Sequence, residues 1–166
     1  GGLELMVNIL KSYINWKSID KVCDIIVNQI KESKLQPDNI IGLSRGGLIP
    51  ATIIANKLQV RKVYVHGYHS YDDTTNLRAD HGEMYQDVLK ATKTMSLGNI
   101  LIVDDLCDEG ITMSGLVNRL VKSLDSEQYK ISSAAMYCKQ HSKFQPNYIG
   151  EKVDNDWLVF PWELIN

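Results

Sequence analysis

Apolar residues at Ile19, Val22, Cys23, Ile26, Val27 and Ile30 recur every three or four positions, the spacing of one face of an amphipathic helix. Pro37 and Asp38 break that period, and Asn39 to Leu43 follows as a short buried strand. The turn Ser44-Arg45-Gly46-Gly47 opens a second helix through Leu58, carrying Leu48, Ile49, Ile53 and Ile54. Val63 to His66 alternates weakly and predicts the next strand. From about Ser70 to Glu83 the hydrophobic period stops. Fourteen such positions are long for a plain connection and read as a functional lid or a disordered segment. A short helix is expected near Met84 to Lys93, then a turn at Gly98-Asn99. Ile100-Leu101-Ile102-Val103 is an unbroken apolar run, the mark of a fully buried strand, and it ends in Asp104-Asp105. Met113, Leu116, Val117, Leu120, Val121 and Leu124 give the next helix its apolar face, and Ile131 to Tyr137 and Tyr148 to Val153 read as later strands.

Strands alternating with helices imply an α/β fold: a mostly parallel sheet flanked by helices, with ligands at the C-terminal strand tips. The 166 residues, 18.8 kDa, suit one domain over 1–166, and no internal repeat, low-complexity tract or linker divides them. A hydrophobic share of 44% and a charged share of 23% are those of a soluble globular protein. The net charge of -2 argues against a nucleic-acid-binding surface. No apolar run approaches the roughly 20 residues of a membrane span, and the N-terminus lacks the regions of a signal peptide. Gly1 to Leu5 read as a remnant ahead of a natural start at Met6. Cys23, Cys107 and Cys138 have no metal-ligand spacing, so reduced thiols and a cytoplasmic setting are expected. Cys23 and Cys138 read as core thiols, whereas the thiolate of Cys107 is disfavoured by Asp104, Asp105 and Asp108.

Chemistry concentrates where the buried strand delivers its two carboxylates. A strand that ends in acids, then a glycine-bearing turn and a helix N-terminus, can hold a polyhydroxylated sugar phosphate. The acids accept from hydroxyls or bind a hard cation, and backbone amides take the phosphate. The pattern Asp104-Asp105-Leu106-Cys107-Asp108-Glu109-Gly110-Ile111-Thr112 resembles the phosphoribosyl pyrophosphate (PRPP) motif of type I phosphoribosyltransferases. The resemblance implies that Asp104 and Asp105 bind ribose hydroxyls, that Asp105 also meets Mg²⁺, and that Asp108, Glu109, Gly110, Ile111 and Thr112 wrap the 5′-phosphate. Glu109 departs from the family's usual Thr or Ser, and a carboxylate beside a phosphate is repelled unless it points to solvent or to a basic group.

Three further segments extend the resemblance from about Tyr13 to the C-terminus. Ser44-Arg45-Gly46-Gly47 is similar to the family's pyrophosphate loop, with Ser44, Arg45 and Gly46 as its contacts and a non-proline cis peptide expected near Ser44-Arg45. The polar stretch 70–83, headed by Ser70-Tyr71, resembles the small flexible hood of purine phosphoribosyltransferases, and Arg78 would then meet PRPP oxygens. Lys139 and the ending Trp157-Leu158-Val159-Phe160-Pro161-Trp162-Glu163 resemble the base pocket of the 6-oxopurine enzymes, most closely the xanthine–guanine members. In that pocket Lys139 donates to the purine O6, Trp157 offers an aromatic face, and the Leu158 or Trp157 carbonyl accepts from a 2-amino group. Each alone also suits a solvated lysine and core tryptophans.

The resemblance implies Mg²⁺-dependent transfer of the 5-phosphoribosyl group from PRPP to guanine, xanthine or hypoxanthine, a purine-salvage reaction giving the nucleoside 5′-monophosphate and pyrophosphate. Asp108 is the expected general acid/base. The partners implied are PRPP and a 6-oxopurine, with no nucleic acid or membrane, in a homodimer or homotetramer. The rivals are a PRPP-sensing regulator that binds nucleic acid and a PRPP-forming pyrophosphokinase, the latter a much longer tandem of two such domains. His66, His69, His81 and His141 form no HxH or HExxH pattern, and no catalytic or metal role is expected of them.

Overall fold

An apolar run like Ile100 to Val103 must be covered on both faces, and the architecture follows from that requirement. The computed structural model describes residues 10–71 and 78–164. Its strands are β1 (Lys11–Tyr13), β2 (Asn39–Ser44), β3 (Val63–Tyr71), β4 (Arg78–Gln86), β5 (Gly98–Cys107), β6 (Tyr129–Lys139), β7 (Tyr148–Val153) and β8 (Trp157–Val159). Its helices are α1 (Trp16–Ser33), α2 (Leu48–Leu58) and α3 (Ile111–Ser123). Six strands form the main sheet in the order β4-β3-β2-β5-β6-β7, parallel except for the antiparallel β3–β4 pair. Leu101 and Val103 pack with α1 and α2 on one face, and Ile100 and Ile102 pack with α3 on the other. The sheet is therefore doubly covered, as the alternation of strands and helices predicts.

Local chemistry sets the helix ends. Asn15 caps α1 by accepting from the Ser18 amide at 2.8 Å, and all six residues of the expected stripe are buried. The stripe on α3 is narrower than expected, since Val121 is exposed and Leu124 lies just past the helix end. Among the described residues no helix is long and apolar enough to cross a membrane.

The structure corrects four expectations. First, β5 runs on to Cys107, so Asp104 and Asp105 lie inside the strand rather than at its tip. Second, the stretch 70–83 is in part a hairpin: β4 pairs with β3 through Gly67–Gln86, Tyr68–Met84, His69–Glu83 and Tyr71–Arg78. An edge strand is held by its backbone and needs no hydrophobic period, which hid it from the pattern. Third, the helix expected near Met84 is instead the end of β4 followed by a 3₁₀ segment, Val88–Thr94, whose first turn is capped by Asp87 accepting from the Leu89 amide at 3.1 Å. Fourth, β1 and β8 form an unforeseen two-stranded parallel sheet, each strand only three residues long. The remnant read at Gly1 to Leu5 and the hood tip at 72–77 lie outside the described residues.

Candidate functional site

Parallel strands bring their C-terminal ends to one edge of the sheet, and three of the expected segments emerge there side by side. Gly42 of β2 is opposite Val103 of β5, and Cys107 of β5 is opposite Cys138 of β6. Ser44, the Asp104-Asp105 pair and Lys139 therefore share the edge where a parallel sheet binds ligands.

A cavity of ≈ 620 Å³ opens at this edge. Its lining includes Asp104, Asp105, each residue from Asp108 through Thr112, Lys139, Trp157 and Leu158. Gly110 adopts φ 82°, the left-handed conformation that glycine tolerates, and hands the chain to α3. The first amides of a helix lack partners within it, and Ser114 is the residue whose N–H reaches back to the Gly110 carbonyl, at 2.9 Å. The amides of Ile111, Thr112 and Met113 thus lie outside the helical ladder, at the mouth of an anion-binding helix terminus. Asp108 does not cap α3. Its Oδ1 instead lies 3.1 Å from His141 Nε2. Glu109 is exposed at the rim.

The two strand carboxylates are held by their own backbone: Asp104 accepts from the Asp105 amide at 2.8 Å, and Asp105 from the Leu106 amide at 2.7 Å. Burial pushes the Asp104 carboxyl well above the usual range, and the neighbouring Asp105 pushes it further. Asp105 is raised as well, again by burial first, although hydrogen bonds from its surroundings oppose the shift. A hard cation or sugar hydroxyls at this place would remove the penalty. Among the described residues no three His, Cys, Asp or Glu side chains converge as a protein-only metal site. A hard cation such as Mg²⁺ needs only one or two protein carboxylates, with substrate oxygens and water completing its shell, and the adjacent Asp104 and Asp105 could supply them.

The loop Ser44–Gly47 leans on this pair. A Cβ built on Gly46 would fall 1.8 Å from Asp105 Oδ2. The Ser44–Arg45 peptide is cis, as expected. Arg45 is exposed, and its charge reaches Glu163, which also lines the cavity and whose carboxyl is raised by burial and by Asp105 and lowered by Arg45. Tyr85, near the end of β4, lays its ring over Gly67 and donates to Ser44 Oγ at 2.9 Å. Arg78 opens β4 opposite Tyr71, and only its backbone is described.

The base-pocket residues sort themselves by packing. Trp162 stacks on Phe160 at 4.8 Å between ring centroids and packs against the core, as the structural reading of the tryptophans has it. Trp157 remains 48% exposed on the cavity wall, so its ring is available to a ligand. Lys139 is buried, and its Nζ donates to the Asp156 carbonyl. The β1–β8 ladder then separates the two candidate carbonyls. The Trp157 amide donates to Leu10 O at 2.9 Å and Val159 O accepts from the Ile14 amide at 2.8 Å. Polar groups of alternate residues face opposite sides of a strand, so Leu158 turns its N–H and C=O away from β1, to the side where the Asp156 carbonyl meets Lys139.

Sequence reasoning passed over His141, Asp156, Phe160 and Glu163 as members of this wall. Phe160 and Glu163 sit in the motif already noticed, but only the turn after β6 brings His141 to Asp108. Cys107 and Cys138 are buried, and burial pushes the Cys107 thiol up to about 12, which removes any nucleophilic role at neutral pH.

Residues 11–164 match the phosphoribosyl transferase domain family. The chain is 28% identical to a xanthine-guanine phosphoribosyltransferase of Idiomarina loihiensis over 153 residues, 92% of this chain and 86% of that protein. It is 32% identical to the enzyme of the same name from Cereibacter sphaeroides over 139 residues, 77% of this chain and 73% of that protein. Its fold is similar to the crystal structure of a purine phosphoribosyltransferase from Pyrococcus horikoshii, with TM-score 0.74 and 25% identity, covering 94% of this chain and 95% of that one.

Proposed function

The chain belongs to the phosphoribosyl transferase domain family, and from that premise we propose that it transfers the 5-phosphoribosyl group of PRPP to a 6-oxopurine, releasing pyrophosphate. The observation that carries this reading is a single cavity walled by the acidic strand end, the α3 N-terminus, Lys139, Trp157 and Leu158. It offers distinct chemistry for a sugar diol, a phosphate and a flat heterocycle.

Each part has a physical task. Asp104 and Asp105 accept from the ribose hydroxyls, and Asp105 is the protein ligand for Mg²⁺. The cation, when bound, neutralises charge on the pyrophosphate leaving group. The amides of residues 108 to 112 and the Thr112 hydroxyl hold the 5′-phosphate. Ser44, Arg45 and Gly46 receive the pyrophosphate, where the Arg45 guanidinium offsets its charge, and Arg78 from the hood meets PRPP oxygens. Lys139 Nζ, fixed by the Asp156 carbonyl, donates to O6 of the purine. Adenine offers only donors at that position and is rejected. The Leu158 carbonyl, turned to the same side, accepts from the 2-amino group of guanine, and Trp157 covers the ring. The base nitrogen attacks the anomeric carbon as the C–O bond to pyrophosphate breaks, while Asp108 takes up the proton the purine must lose, a step typically worth about 10²–10⁴-fold. Holding both substrates in line adds to the gain.

The test is pyrophosphate release from PRPP and Mg²⁺ with guanine, xanthine, hypoxanthine or adenine. Release with one or more of the first three is expected. Preference for adenine would overturn the role of Lys139, and no release with any base would favour a PRPP-binding regulator.

A further inference from the structure

Asp108, a carboxylate of the cavity, has a side-chain partner in the turn that follows β6. His141 Nε2 lies 3.1 Å from Asp108 Oδ1, and both residues line the cavity. An ionised carboxylate only accepts, so Nε2 carries the proton in this contact. His141 lies two residues beyond Lys139, the last residue of β6, in a turn that has little freedom. The Ser142 amide donates to the Lys139 carbonyl at 3.0 Å, and the Gln140 amide to the Val153 carbonyl at 2.8 Å. The Ser142 hydroxyl donates to the Phe144 carbonyl at 2.7 Å, and Gln145 Nε2 to the Ser142 carbonyl at 2.9 Å.

This turn is also locked onto the phosphate loop. Cys107 Sγ lies 3.4 Å from Ser142 Oγ and 3.5 Å from the Phe144 carbonyl. A Cβ on Gly110 would come within 2.5 Å of Phe144 Cβ and 3.2 Å of Ser142 Oγ. One turn therefore presents Lys139 on one flank and His141 on the other, with Ser142 and Phe144 packed against Cys107 and Gly110. We propose that His141 is a positioning residue: it holds Oδ1 of Asp108 so that Oδ2 faces the proton of the bound purine. The proposal rests on the reading of Asp108 as the acid/base of a purine phosphoribosyltransferase. Without the imidazole, the Asp108 carboxylate is free to rotate about its side-chain bonds, and misplacement by about 1 Å can cost about 10²-fold. The purine itself touches other groups, so its binding is left alone.

The pair is half exposed, so its loss does not threaten the fold. Steady-state kinetics with PRPP and guanine on wild type, His141→Ala, His141→Gln, Asp108→Asn and the Asp108→Asn/His141→Ala double variant test the proposal. His141→Ala is expected to lower kcat about 10-fold with KM for both substrates within about 2-fold. Gln places an amide N–H near the position of Nε2 and is expected to recover most of that loss. In the Asp108→Asn background His141→Ala is expected to change nothing further, because the group it orients is already gone. An unchanged kcat in His141→Ala overturns the proposal. So does an equal loss in both backgrounds, or a rise in KM for PRPP alone, either of which makes His141 a substrate contact. Wild-type protein without turnover on any base overturns the functional reading itself, and the proposal falls with it.

Discussion

Gly46 and Gly47 are neighbours in sequence, yet an added methyl should injure different properties at each. At Gly46 the new Cβ would lie 1.8 Å from Asp105 Oδ2 and 2.5 Å from its Cγ. A comfortable non-bonded separation is about 3.5 Å, so the carboxylate must retreat by more than about 1 Å. It is the end of a side chain and can turn, at the cost of the hydrogen bond it accepts from the Leu106 amide at 2.7 Å. Losing one such bond costs about 1 kcal/mol, or roughly 2–4 °C in Tm for a chain of this size. A displacement of that size at a substrate-binding carboxylate should lower kcat/KM for PRPP about 10²-fold.

At Gly47 the obstacles are backbone atoms, Leu43 O at 2.5 Å and Val103 O at 2.6 Å, in the two central strands. Neither can turn aside. Overpacking of this kind costs about 1–3 kcal/mol or more, a Tm drop of up to roughly 12 °C. Gly46→Ala is thus expected to be folded and nearly inactive, and Gly47→Ala to be unstable first. Thermal melts beside pyrophosphate-release kinetics on both variants check this. Turnover of Gly46→Ala within about 3-fold of wild type would refute the placement of the loop against a working Asp105. A Tm loss as large as that of Gly47→Ala would refute the division between site and fold.

Lys139→Gln should cut kcat/KM for guanine by about 10–10²-fold, the worth of a charged hydrogen bond to O6, and a fall of less than 2-fold would contradict the assigned contact. Tyr85→Phe removes the donor to Ser44 Oγ and should raise KM for PRPP several-fold with Tm nearly unchanged; identical kinetics would show that the hairpin and loop are independent. Arg119, 3.0 Å from Asp87, holds that carboxyl below its usual range, so the pair stabilises the folded state above the ordinary value of 3.8 and the benefit is lost as pH falls through the depressed one. Asp87→Asn should therefore cost about 0.2–1 kcal/mol at pH 7 and progressively less as pH falls below the ordinary 3.8, and a gap that widens in acid would refute the sign. Asp104, raised by burial, has the opposite linkage: it destabilises the substrate-free protein as pH rises through its folded-state pKa. Asp104→Asn should raise Tm at pH 8 by more than at pH 4 while abolishing turnover, and a lowered Tm at pH 8 would refute the desolvation argument.

What could be read from the chain divides along a physical line. Elements fixed by burial were legible: the α1 stripe, the apolar run of β5 and the turn residues after β2 each carry their instructions locally. Elements fixed by backbone pairing were not. β4 is polar and sits at the sheet edge, and β1 and β8 are three residues each, so their hydrogen bonds leave no hydrophobic trace. The same line runs through the site. The acids, the glycines and Lys139 announce themselves by type and spacing, whereas the partner of Asp108 comes from a turn 33 residues away and is visible only in three dimensions.

That division also bears on how the pocket reads a purine. On the proposed reading side chains supply the coarse choice, Lys139 for a carbonyl at C6 and Trp157 for a flat ring. The finer choice would fall to the carbonyl of Leu158, whose direction is set by β1: the ladder takes up polar groups of Trp157 and Val159 and leaves those of Leu158 turned away from β1. Ser12 strengthens the arrangement by donating to Asp156 Oδ2 at 2.9 Å, which holds the residue whose carbonyl fixes Lys139. The small sheet that no hydrophobic pattern foretold is therefore, on that reading, the frame that aligns the proposed base-reading groups. Backbone pairing at one end of the chain would then set specificity at the other.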